Sequence, residues 1–501
     1  MKVVKNNMSQ KYRLESKKLA RIEKESKKRR LIFILLLLLF TISISAKSQI
    51  NLQPIVQLQI AEKIGQFRSV PVKINDKNAI CGMYSEDAEI DPYIGMFFFP
   101  KHTLKLILFD ETGEVLWKRD LGEGVVPGVW FNPIYAMDLD KDGNDEIWII
   151  NNQDTEHPLD YRKYVLEKID PKTGNTINQW KWKEPVQPQS MSSTFRHFIF
   201  GGYVKGEPVL ITAQGTYGPM SIQAWNSDMS LRWEYNIPKD AKGCKGSHVT
   251  PVVDINNDGV DDIMWGERCI EMDTGKELFC AAEDSWEGHS DIVQPVLDWK
   301  NNKWYFHTCR ESWYNQPPRL VFYNEKGESV WSDVDYGHMD TGWAARLGIN
   351  GEPVVLGVKV GEKIRTAEGE RRTGVVEYTY EAFSGKKIDL GFSVYTTIPV
   401  DLNGDGIHEL VKGYFEGDGT VIDNSGKVIG NVGGLTAMAS KFTSLPGEQI
   451  LSYSKDGKIV IWADKNAKDN EVAKRRYSHP YYKINQYQTG NGYNLFTLGG
   501  L

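Results

Sequence analysis

The chain has 501 residues, of which 41% are hydrophobic and 11% aromatic, enough for a large packed core. The first 46 residues hold 12 of the basic and 3 of the acidic side chains, so the remainder carries a net charge of −15. This acidic balance excludes general binding to nucleic acids or anionic membranes, and it suits a protein whose carboxylates are committed to cations.

Residues 1–46 have the pattern of a targeting segment. A basic stretch ends at residues 27–30 (KKRR), and an apolar run of 14 residues follows at 31–44, before the small residues Ser45 and Ala46. A bilayer span needs about 20 apolar residues, so this run is typical of a signal peptide, with an uncleaved membrane anchor as the alternative. We therefore expect an exported protein (periplasm, cell surface or extracellular) that touches a membrane only through this segment.

A short phrase recurs downstream: a strand, a turn rich in Asp, Asn, Ser and Gly, and a second strand that often ends in an aromatic residue. It occupies residues 109–117, 169–180, 224–233, 271–279, 323–331, 381–390 and 422–430, with a weak eighth copy at 462–472. The spacing of about 40 to 60 residues matches a four-stranded propeller blade. The sequence therefore predicts an all-β chain with a β-propeller over residues 47–501, of about eight blades with seven as the alternative. Residues 47–100 form either a first blade or a strand donor.

Three turns have DxDxDG-type sequences that run into apolar strands. Oxygen ligands at positions 1, 3 and 5 can surround one hard cation, the Gly permits the sharp bend, and an acid three residues later adds oxygen. Strands follow these loops and no Glu stands at the twelfth position, so they are not EF-hands; an acidic β-turn without a cation is the alternative. We predict structural Ca²⁺ sites at Asp138, Asp140, Asp142 and Glu146, at Asp254, Asn256, Asp258 and Asp262, and at Asp401, Asn403, Asp405 and Glu409.

Other signatures exclude several classes of protein. The chain has no GxSxG motif and no phosphate-binding glycine loop that opens a helix, which disfavours nucleophile-elbow hydrolases and nucleotide enzymes. Five cysteines in a chain of this length do not form a disulfide framework. Four of them lie between residues 244 and 309, where either a bridge or two, or buried thiols, are expected.

Residues 240–345 contain a second set of polar motifs, each beside a predicted strand of a separate blade. They are GSH (246–248), GHSD (288–291) and CRE (309–311). Because equivalent strand ends meet at one end of a propeller, two His, an Asp and a Glu could converge on a divalent cation there. These ligand types leave Ca, Zn, Mn and Fe open, and structural hydrogen bonding by the histidines is the alternative.

The order of these motifs resembles the rhamnogalacturonan lyases of polysaccharide lyase family 11, which are eight-bladed propellers. The resemblance rests on GSH, the acidic loop 254–262, GHSD and CRE, and it extends to Arg196 and to residues 205–217, 337–346 and 396–410. It covers roughly residues 130–430 and is strongest over 196–346. Trp343 stands where the family's DVGR segment has its Arg.

The resemblance implies a secreted lyase that cleaves an acidic plant-type or algal polysaccharide by β-elimination. It implies a Ca²⁺ ion in the cleft that neutralises the uronate carboxylate and makes the C5 proton removable. The implied cleft ligands are His248, His289, Asp291 and Glu311, and the implied substrate-binding residues are Arg196 and Trp343. The candidates for the base are His338, Arg310, Lys245, Tyr217, Arg196 and His197. Two other functions stay open: a non-catalytic propeller that binds glycan or protein, and a glycoside hydrolase on the same scaffold.

Overall fold

A computed structural model describes residues 49–154, 158–185, 190–311, 316–366 and 369–501, together with Lys24, Lys27, Lys28 and Arg30. The chain divides into one unit over Met1–Gln49 and a second over Ile50–Leu501. The predicted signal peptide or anchor at 1–46 lies outside the described residues, apart from those four basic positions, which are helical. Among the described residues, no helix combines the length and the apolar character needed to cross a bilayer.

The second unit is a β-propeller of eight antiparallel blades, which confirms the predicted fold and the larger blade number. Blade 1 contains β2 (Gln66–Ile74), β3 (Lys77–Ser85), β4 (Lys105–Asp110) and β5 (Val115–Asp120). Blade 2 contains β6 (Ile134–Met137), β7 (Glu146–Asn152), β8 (Tyr164–Ile169) and β9 (Thr176–Lys181). Blade 3 contains β10 (His197–Val204), β11 (Glu207–Gln214), β12 (Met220–Trp225) and β13 (Leu231–Ile237). Blade 4 contains β14 (Val252–Val253), β15 (Asp262–Trp265), β16 (Arg268–Glu271) and β17 (Glu277–Cys280).

The remaining blades follow the same order. Blade 5 contains β18 (Ser290–Asp298), β19 (Lys303–Arg310), β20 (Leu320–Asn324) and β21 (Ser329–Asp333). Blade 6 contains β22 (His338–Arg346), β23 (Pro353–Val360) and β26 (Val376–Glu381), with a separate hairpin of β24 (Glu362–Thr366) and β25 (Gly369–Thr373) inserted before β26. Blade 7 contains β27 (Thr397–Val400), β28 (Glu409–Lys412), β29 (Thr420–Ile422) and β30 (Val428–Asn431). Blade 8 contains β31 (Leu435–Ser440), β32 (Gln449–Tyr453), β33 (Lys458–Asp464) and β1 (Leu52–Gln59).

The N-terminal strand closes the ring. Strand β1 pairs antiparallel with β33, with Leu52 opposite Asp464, so residues 52–59 are a strand donor and blade 1 begins at Gln66. The interpretation of residues 462–472 as a weak eighth strand–turn–strand phrase is therefore wrong. Strand β33 ends at Asp464 and a helix follows, because β1 already occupies the outer position of that blade.

Aromatic residues of the outer strands pack against the turns of the neighbouring blades, as the recurring phrase predicts. Trp233 on β13 donates its indole N–H to the Met272 carbonyl at 2.8 Å, in the turn of the next blade. Gly275 in that turn has φ +72°, and a Cβ placed on it would lie 2.6 Å from the Trp233 ring. The turn therefore needs glycine for both its backbone angle and the close ring contact. The same pairing joins Trp117 to Gly174, Phe279 to Gly327 and Trp331 to Gly385.

The C-terminal segment fills the centre of the ring. After β33 the chain forms α2 (Glu471–Ser478), α3 (Pro480–Asn485) and two 3₁₀ turns, Gln486–Gln488 and Asn494–Gly500; the other described helical turns are α1 (Met191–Thr194) and the 3₁₀ turn Tyr161–Lys163. Residues 480–501 contact the first strand of every blade, so they lie on the propeller axis and form an axial plug. Amide side chains bind this plug to backbone groups of the blades: Asn485 donates to the Val252 carbonyl at 2.7 Å and accepts from its N–H at 2.9 Å. All five cysteines are free thiols.

Candidate functional site

Equivalent strand ends gather the predicted cleft residues at one end of the propeller, which we call the cleft end. First strands of all blades start there and second strands finish there. His248 precedes β14, Asp291 lies at the start of β18, Glu311 follows β19, and His338 starts β22, so consecutive blades present them side by side. The three acidic loops join first strands to second strands and therefore lie at the opposite end, the loop end.

The structure brings the four implied cleft ligands together, and we call His248, His289, Asp291 and Glu311 the cleft cluster. Asp291 Oδ1 lies 3.4 Å from His248 Nε2 and 3.5 Å from His289 Nε2. His289 Nε2 lies 2.7 Å from Glu311 Oε2. Each of the four is buried or nearly so. Two imidazoles and two carboxylates thus surround one small volume.

The charges of the cluster perturb one another. Burial opposes protonation of His289, but the carboxylates of Glu311 and Asp291 raise its pKa. Burial would raise the pKa of Glu311, yet His289 and His338 hold it well below its usual value. Burial and the charge of Glu311 raise the pKa of Asp291 to about 6. Burial, helped by the charge of Arg196, lowers the pKa of His248 far below 6.5. An ionised Glu311 and a neutral His248 are the protonation states in which these groups bind metals.

The contacts within the cluster do not satisfy all of its buried polar atoms. Asp291 Oδ1 and His289 Nε2 are buried but make no hydrogen bond of good geometry among the described residues. Buried polar atoms of this kind are costly unless a further group completes them. Two His nitrogens and two carboxylates are a donor set that binds divalent cations in proteins. The residues present therefore fit a divalent cation.

A second charged group adjoins the cluster around Asp340. His338 Nε2 lies 2.9 Å from Glu311 Oε1 and 2.9 Å from Asp340 Oδ1, which links the two groups. The Lys363 ammonium contacts Asp340 Oδ1, and Arg372 lies 2.5 Å from its Oδ2. Burial opposes protonation of His338 and Lys363, but hydrogen bonds to Asp340 and Glu311 raise the pKa of His338 to about 10, and Asp340 raises that of Lys363. One buried carboxylate thus holds three cationic side chains.

Arg196 lies on the other side of His248. Its guanidinium is stacked over the rings of Trp130 and Tyr217, at 4.5 and 5.3 Å, and pairs with Asp91 at 3.2 Å. Its Nε and NH1 atoms have no hydrogen-bond partner among the described residues, although the side chain is only 4% exposed. Tyr217 Oη lies 3.3 Å from His248 Nε2. Arg196 therefore offers two donors beside the cluster.

Apart from His289, which is buried behind the wall, these groups line one cavity of about 1300 Å³ at the cleft end. Its wall includes Arg196, Tyr217 and Asp340, and the axial plug contributes Tyr493. The Tyr493 ring lies 5.2 Å from the His248 ring, and its backbone N–H donates to the His248 carbonyl at 2.8 Å. Cluster and cavity are thus built partly on the C-terminal segment.

Several residues predicted for the chemistry lie elsewhere. Arg310 is 1% exposed and pairs with buried Glu267 at 2.6 and 2.8 Å. Lys245 is also buried, and its ammonium donates to the Ala241 carbonyl. His197 contacts the Phe131 carbonyl at 3.1 Å, and burial lowers its pKa to about 4. Trp343 is 1% exposed and packs in the apolar core, so it does not line the cavity and cannot bind substrate there. Of the candidates for the base, His338, Tyr217 and Arg196 line the cavity.

The three acidic loops share one backbone arrangement. In each loop the first Asp accepts N–H groups of the fifth and sixth residues: Asp138 at 3.0 Å from both, Asp254 at 3.0 and 2.9 Å, and Asp401 at 3.1 Å from both. The final acid accepts the second residue's N–H, as Glu146 does from Leu139 at 3.0 Å. Asp138, Asp140 and Asp142 offer oxygens within 4.8 Å of one another. The loops therefore turn carboxylate oxygens inward.

The sequence reasoning missed Asp340, Lys363 and Arg372. Both basic residues belong to the β24–β25 hairpin, which interrupts the apolar strands β23 and β26 of blade 6. The signal was present: residues 361–374 hold four basic side chains between two segments that otherwise read as adjacent strands. An insertion between two paired strands leaves the sheet where the first of them ends. Because β23 ends at the cleft end, the inserted hairpin leaves blade 6 there.

Comparisons with known proteins agree with this architecture. The family model for the C-terminal domain of rhamnogalacturonan lyase family 11 matches residues 195–371. Two curated relatives from Bacillus subtilis strain 168 are each 23% identical: the rhamnogalacturonan exolyase YesX over 240 residues and the rhamnogalacturonan endolyase YesW over 248. Each match covers 42% of this chain and 37% of the relative, so the chain spans well under half the length of these relatives in sequence.

The solved structure of rhamnogalacturonan lyase YesW has the same fold. It superposes with a TM-score of 0.67 and 17% identity, over 90% of this chain and 83% of that chain. The residues matched by the family model include Arg196, the cleft cluster, His338 and Lys363. The comparisons confirm the resemblance that the motif order predicts: the chain is a distant relative of the family 11 rhamnogalacturonan lyases.

Proposed function

We propose that this protein is a polysaccharide lyase that cleaves a uronate-containing, rhamnogalacturonan-like glycan by cation-assisted β-elimination. The observation that carries the proposal is the cleft cluster: His248, His289 and Asp291 offer ligand atoms within 4.8 Å of one another, and Glu311 does so with Asp291, His338 and Asp340. The cluster adjoins a cavity lined by Lys363, Arg372 and Arg196. Cationic groups beside a metal-ligand set suit a polyanionic sugar. The distant relationship to family 11 supports a lyase acting on a pectin-type polymer. Such a polymer is met outside the cell, in agreement with the signal peptide predicted for residues 1–46.

β-Elimination removes the C5 proton of a uronate and expels the oxygen at C4. The C5–H bond is too weakly acidic to break unless charge developing on the carboxylate is neutralised, and a divalent cation held by the cleft cluster would supply that neutralisation. The chain adds its own positive charge. Arg196 offers two donors for which the described part of the chain provides no acceptor, and Lys363 is held as an ammonium by Asp340. These groups orient the carboxylate and lower the barrier by electrostatic preorganisation.

Three proton-transfer groups line the cavity beside the cluster: His338, Tyr217 and Lys363. The contacts with Asp340 favour the protonated forms of His338 and Lys363, which suits them to bind the carboxylate or protonate the departing oxygen. Tyr217 is then the candidate base. Burial raises the pKa of Tyr217 well above its usual value, and Arg196 offsets only part of that rise, so Tyr217 could act as the base only if a cation bound beside it lowered its pKa.

We also propose that the cation is Ca²⁺ in both the cleft and the acidic loops. Oxygen donors dominate the loops and suit a hard cation. In the first loop the Lys168 ammonium contacts Asp140 at 3.0 Å and also contacts Glu146. The positive charge of this side chain therefore already offsets part of the loop's negative charge. In the third loop the charge of Arg476 acts on Asp401 in the same sense. In the cleft, two imidazoles also suit Mn²⁺ or Zn²⁺, so the assay includes both.

The test is incubation of the full chain with rhamnogalacturonan and with polygalacturonate, following the ultraviolet absorbance of newly formed unsaturated uronate. We expect product from rhamnogalacturonan, its loss on chelation, and recovery with one of Ca²⁺, Mn²⁺ or Zn²⁺. Glu311→Gln keeps the shape of a ligand but removes its charge and should reduce the rate at least about 100-fold, the scale of losing one oxyanion-stabilising contact. Glu287→Gln is the matched control, since Glu287 is exposed and outside the cavity.

Tyr217→Phe and His338→Gln separate the proton-transfer roles. Loss of activity in Tyr217→Phe with the cation still bound, measured by calorimetry, supports Tyr217 as the base. Full activity after chelation, or equal activity of Glu311→Gln and Glu287→Gln, would refute the cation-assisted mechanism. New reducing ends without unsaturated product would assign the cleft to a glycoside hydrolase, and binding without cleavage would assign it to a non-catalytic glycan-binding propeller.

A further inference from the structure

The third acidic loop, residues 401–409, is bound to the helix that leads into the axial plug. Asn470 caps the start of α2, since its side chain accepts the Ala473 N–H at 2.9 Å. The same residue donates its backbone N–H to the Gly404 carbonyl at 2.9 Å and its side-chain amide to the Asp405 carbonyl at 2.7 Å. The residue that begins the helix is therefore fixed on the backbone of the loop.

The first carboxylate of this loop is bound from the same helix. Tyr477, at the end of α2, donates its hydroxyl to Asp401 Oδ2 at 3.1 Å. The neighbouring Arg476 pairs with Glu448 at 2.9 Å, and the Glu448 N–H donates to the Asp401 carbonyl at 2.8 Å. Asp401, Glu448 and Arg476 are at most 2% exposed, so these contacts are shielded from water. The position of Asp401 therefore determines where α2 packs.

Hydrogen bonds continue from the helices to the end of the chain. Arg476 donates to the Leu498 carbonyl at 3.4 Å, and Tyr481 of α3 donates its hydroxyl to the Thr497 carbonyl at 2.8 Å. Tyr481 and Leu498 also belong to one apolar core cluster. A shift of α2 would therefore break contacts that hold the last 3₁₀ turn of the plug.

The plug then binds the backbone of the segment that carries His248. The Tyr493 N–H donates to the His248 carbonyl at 2.8 Å, and Asn494 Oδ1 accepts the Thr250 N–H at 3.0 Å. This segment precedes β14 at the cleft end, whereas the third loop lies at the loop end. A continuous set of contacts thus joins the third loop to one residue of the cleft cluster through the centre of the ring.

We propose that the third loop is an effector cation site whose occupancy holds the axial plug in its docked position and thereby positions His248. The proposal rests on the part of the proposed function that assigns a divalent cation to the acidic loops, and it does not depend on lyase activity. Asp401, Asp405 and Glu409 can converge on a cation; without one these carboxylates repel one another, and the loop backbone that holds Asn470 loosens. A ligand that binds the docked state more tightly than the loosened state shifts the population towards the docked state.

The test measures hydrogen–deuterium exchange of the full chain in Ca²⁺ and compares Asp405→Asn with Asp258→Asn. Each variant removes the charge of the fifth residue of one loop, and both keep the cleft cluster. The second loop contacts blades 3 and 5, so Asp258→Asn is the matched control. The first loop is unsuitable as a control, because Tyr487 of the plug is hydrogen-bonded to Asp145 beside it.

We expect Asp405→Asn to accelerate exchange of α2 and residues 488–496 at least about fivefold, the lower end of the usual range for coupling between sites, and Asp258→Asn to match the wild type. Residues 247–252, whose backbone the plug binds, should follow in the same direction. Chelation should produce the same acceleration in the wild type. Strand β7 of blade 2 is the reference for unfolding of the whole ring.

Plug exchange that is unchanged in Asp405→Asn, or unchanged on chelation of the wild type, would overturn the proposal. Equal acceleration in both variants, or acceleration that includes β7, would indicate a general loss of stability and would overturn it as well. Acceleration confined to α2 would refute the link to His248. A chain that forms no unsaturated product but shows the expected exchange refutes the proposed lyase and leaves this coupling in place, whereas an active lyase with unchanged plug exchange refutes only the coupling.

Discussion

Replacing Arg310 with methionine should destabilise the fold. Arg310 lies one residue before Glu311 but points away from the cleft, towards Glu267 of blade 4. Its Nε and NH2 atoms donate to Glu267 at 2.8 and 2.6 Å, and neither side chain is more than 1% exposed. Glu267 also accepts hydrogen bonds from Tyr323 at 2.8 Å and Ser290 at 2.9 Å. The methionine side chain would fill a similar volume but leave a buried carboxylate with only two neutral donors.

Breaking a buried ion pair by removing one partner costs about 3–5 kcal/mol, because the remaining charge is uncompensated. Unfolding entropy is about 2 cal/mol/K per residue, so a unit spanning Ile50–Leu501 has roughly 0.9 kcal/mol/K. A loss of about 4 kcal/mol then lowers Tm by roughly 4 °C if the ring unfolds cooperatively. Glu267→Gln on the same background removes the stranded charge but keeps an acceptor for Tyr323 and Ser290. The double variant should therefore regain more than half of the lost stability.

Thermal unfolding of the wild type, both single variants and the double variant completes a double-mutant cycle. The proposed lyase activity is measured on the same four proteins at a temperature well below every Tm. Because Arg310 stabilises the fold and does not reach the cavity, activity should persist in the double variant. An unchanged Tm in Arg310→Met would refute the stabilising role of the ion pair. A stable double variant that is inactive would also refute this reasoning and would indicate that Arg310 takes part in the reaction.

Two further predictions concern a buried histidine and a blade contact. Burial lowers the pKa of His307 to about 4, below its value of about 6.5 in an unfolded chain, so stability is complete above pH 6.5 and falls as the pH drops towards 4. His307 alone should account for about 2–3 kcal/mol of the stability lost between pH 6.5 and pH 4.5, so the loss that denaturant titrations measure should be smaller by that amount in His307→Phe; an unaltered pH profile would contradict it. Gly275→Ala should cost about 2–4 kcal/mol through backbone strain and overlap with Trp233, whereas Gly206→Ala, with φ +85° and open space around its Cβ, should cost about 1 kcal/mol; equal losses of Tm would refute the ring contact.

The blade repeat could be predicted because its signals are local. A turn needs Gly where φ is positive, as at Gly275, and the outer strand supplies an aromatic ring such as Trp233. Within one copy of the phrase the turn and the aromatic lie within about ten residues, as Gly275 and Phe279 do, and this pattern recurs in several blades. The convergence of His248, His289, Asp291 and Glu311 was also predictable, since each motif adjoins a strand and equivalent strand ends share one end of the ring.

What sequence reasoning missed depends on contacts between distant parts of the chain. Strand β1 completes blade 8 across more than 400 residues, as the pairing of Leu52 with Asp464 shows. The direction in which a side chain beside a motif faces could not be predicted from the sequence either. Arg310 pairs with Glu267 in the neighbouring blade, and Trp343 packs into the core. A strand pattern gives the alternation of side chains, but bulges such as that between Ser290 and Ile292 shift it locally.

The axial plug makes the cleft dependent on the last segment of the chain. Its polar side chains form hydrogen bonds with backbone groups of the blades. Asn485 donates to the Val252 carbonyl, and Asn491 donates to the Ile199 carbonyl at 2.9 Å. Between these contacts and the cavity, the backbone of Gly492 approaches the His248 carbonyl so closely that a Cβ there would lie 2.3 Å from it. Tyr493 then donates its N–H to that same carbonyl. His248 is thus held from the axis as well as from its own blade, so the position of this cleft-cluster residue depends on the axial plug in addition to the strands.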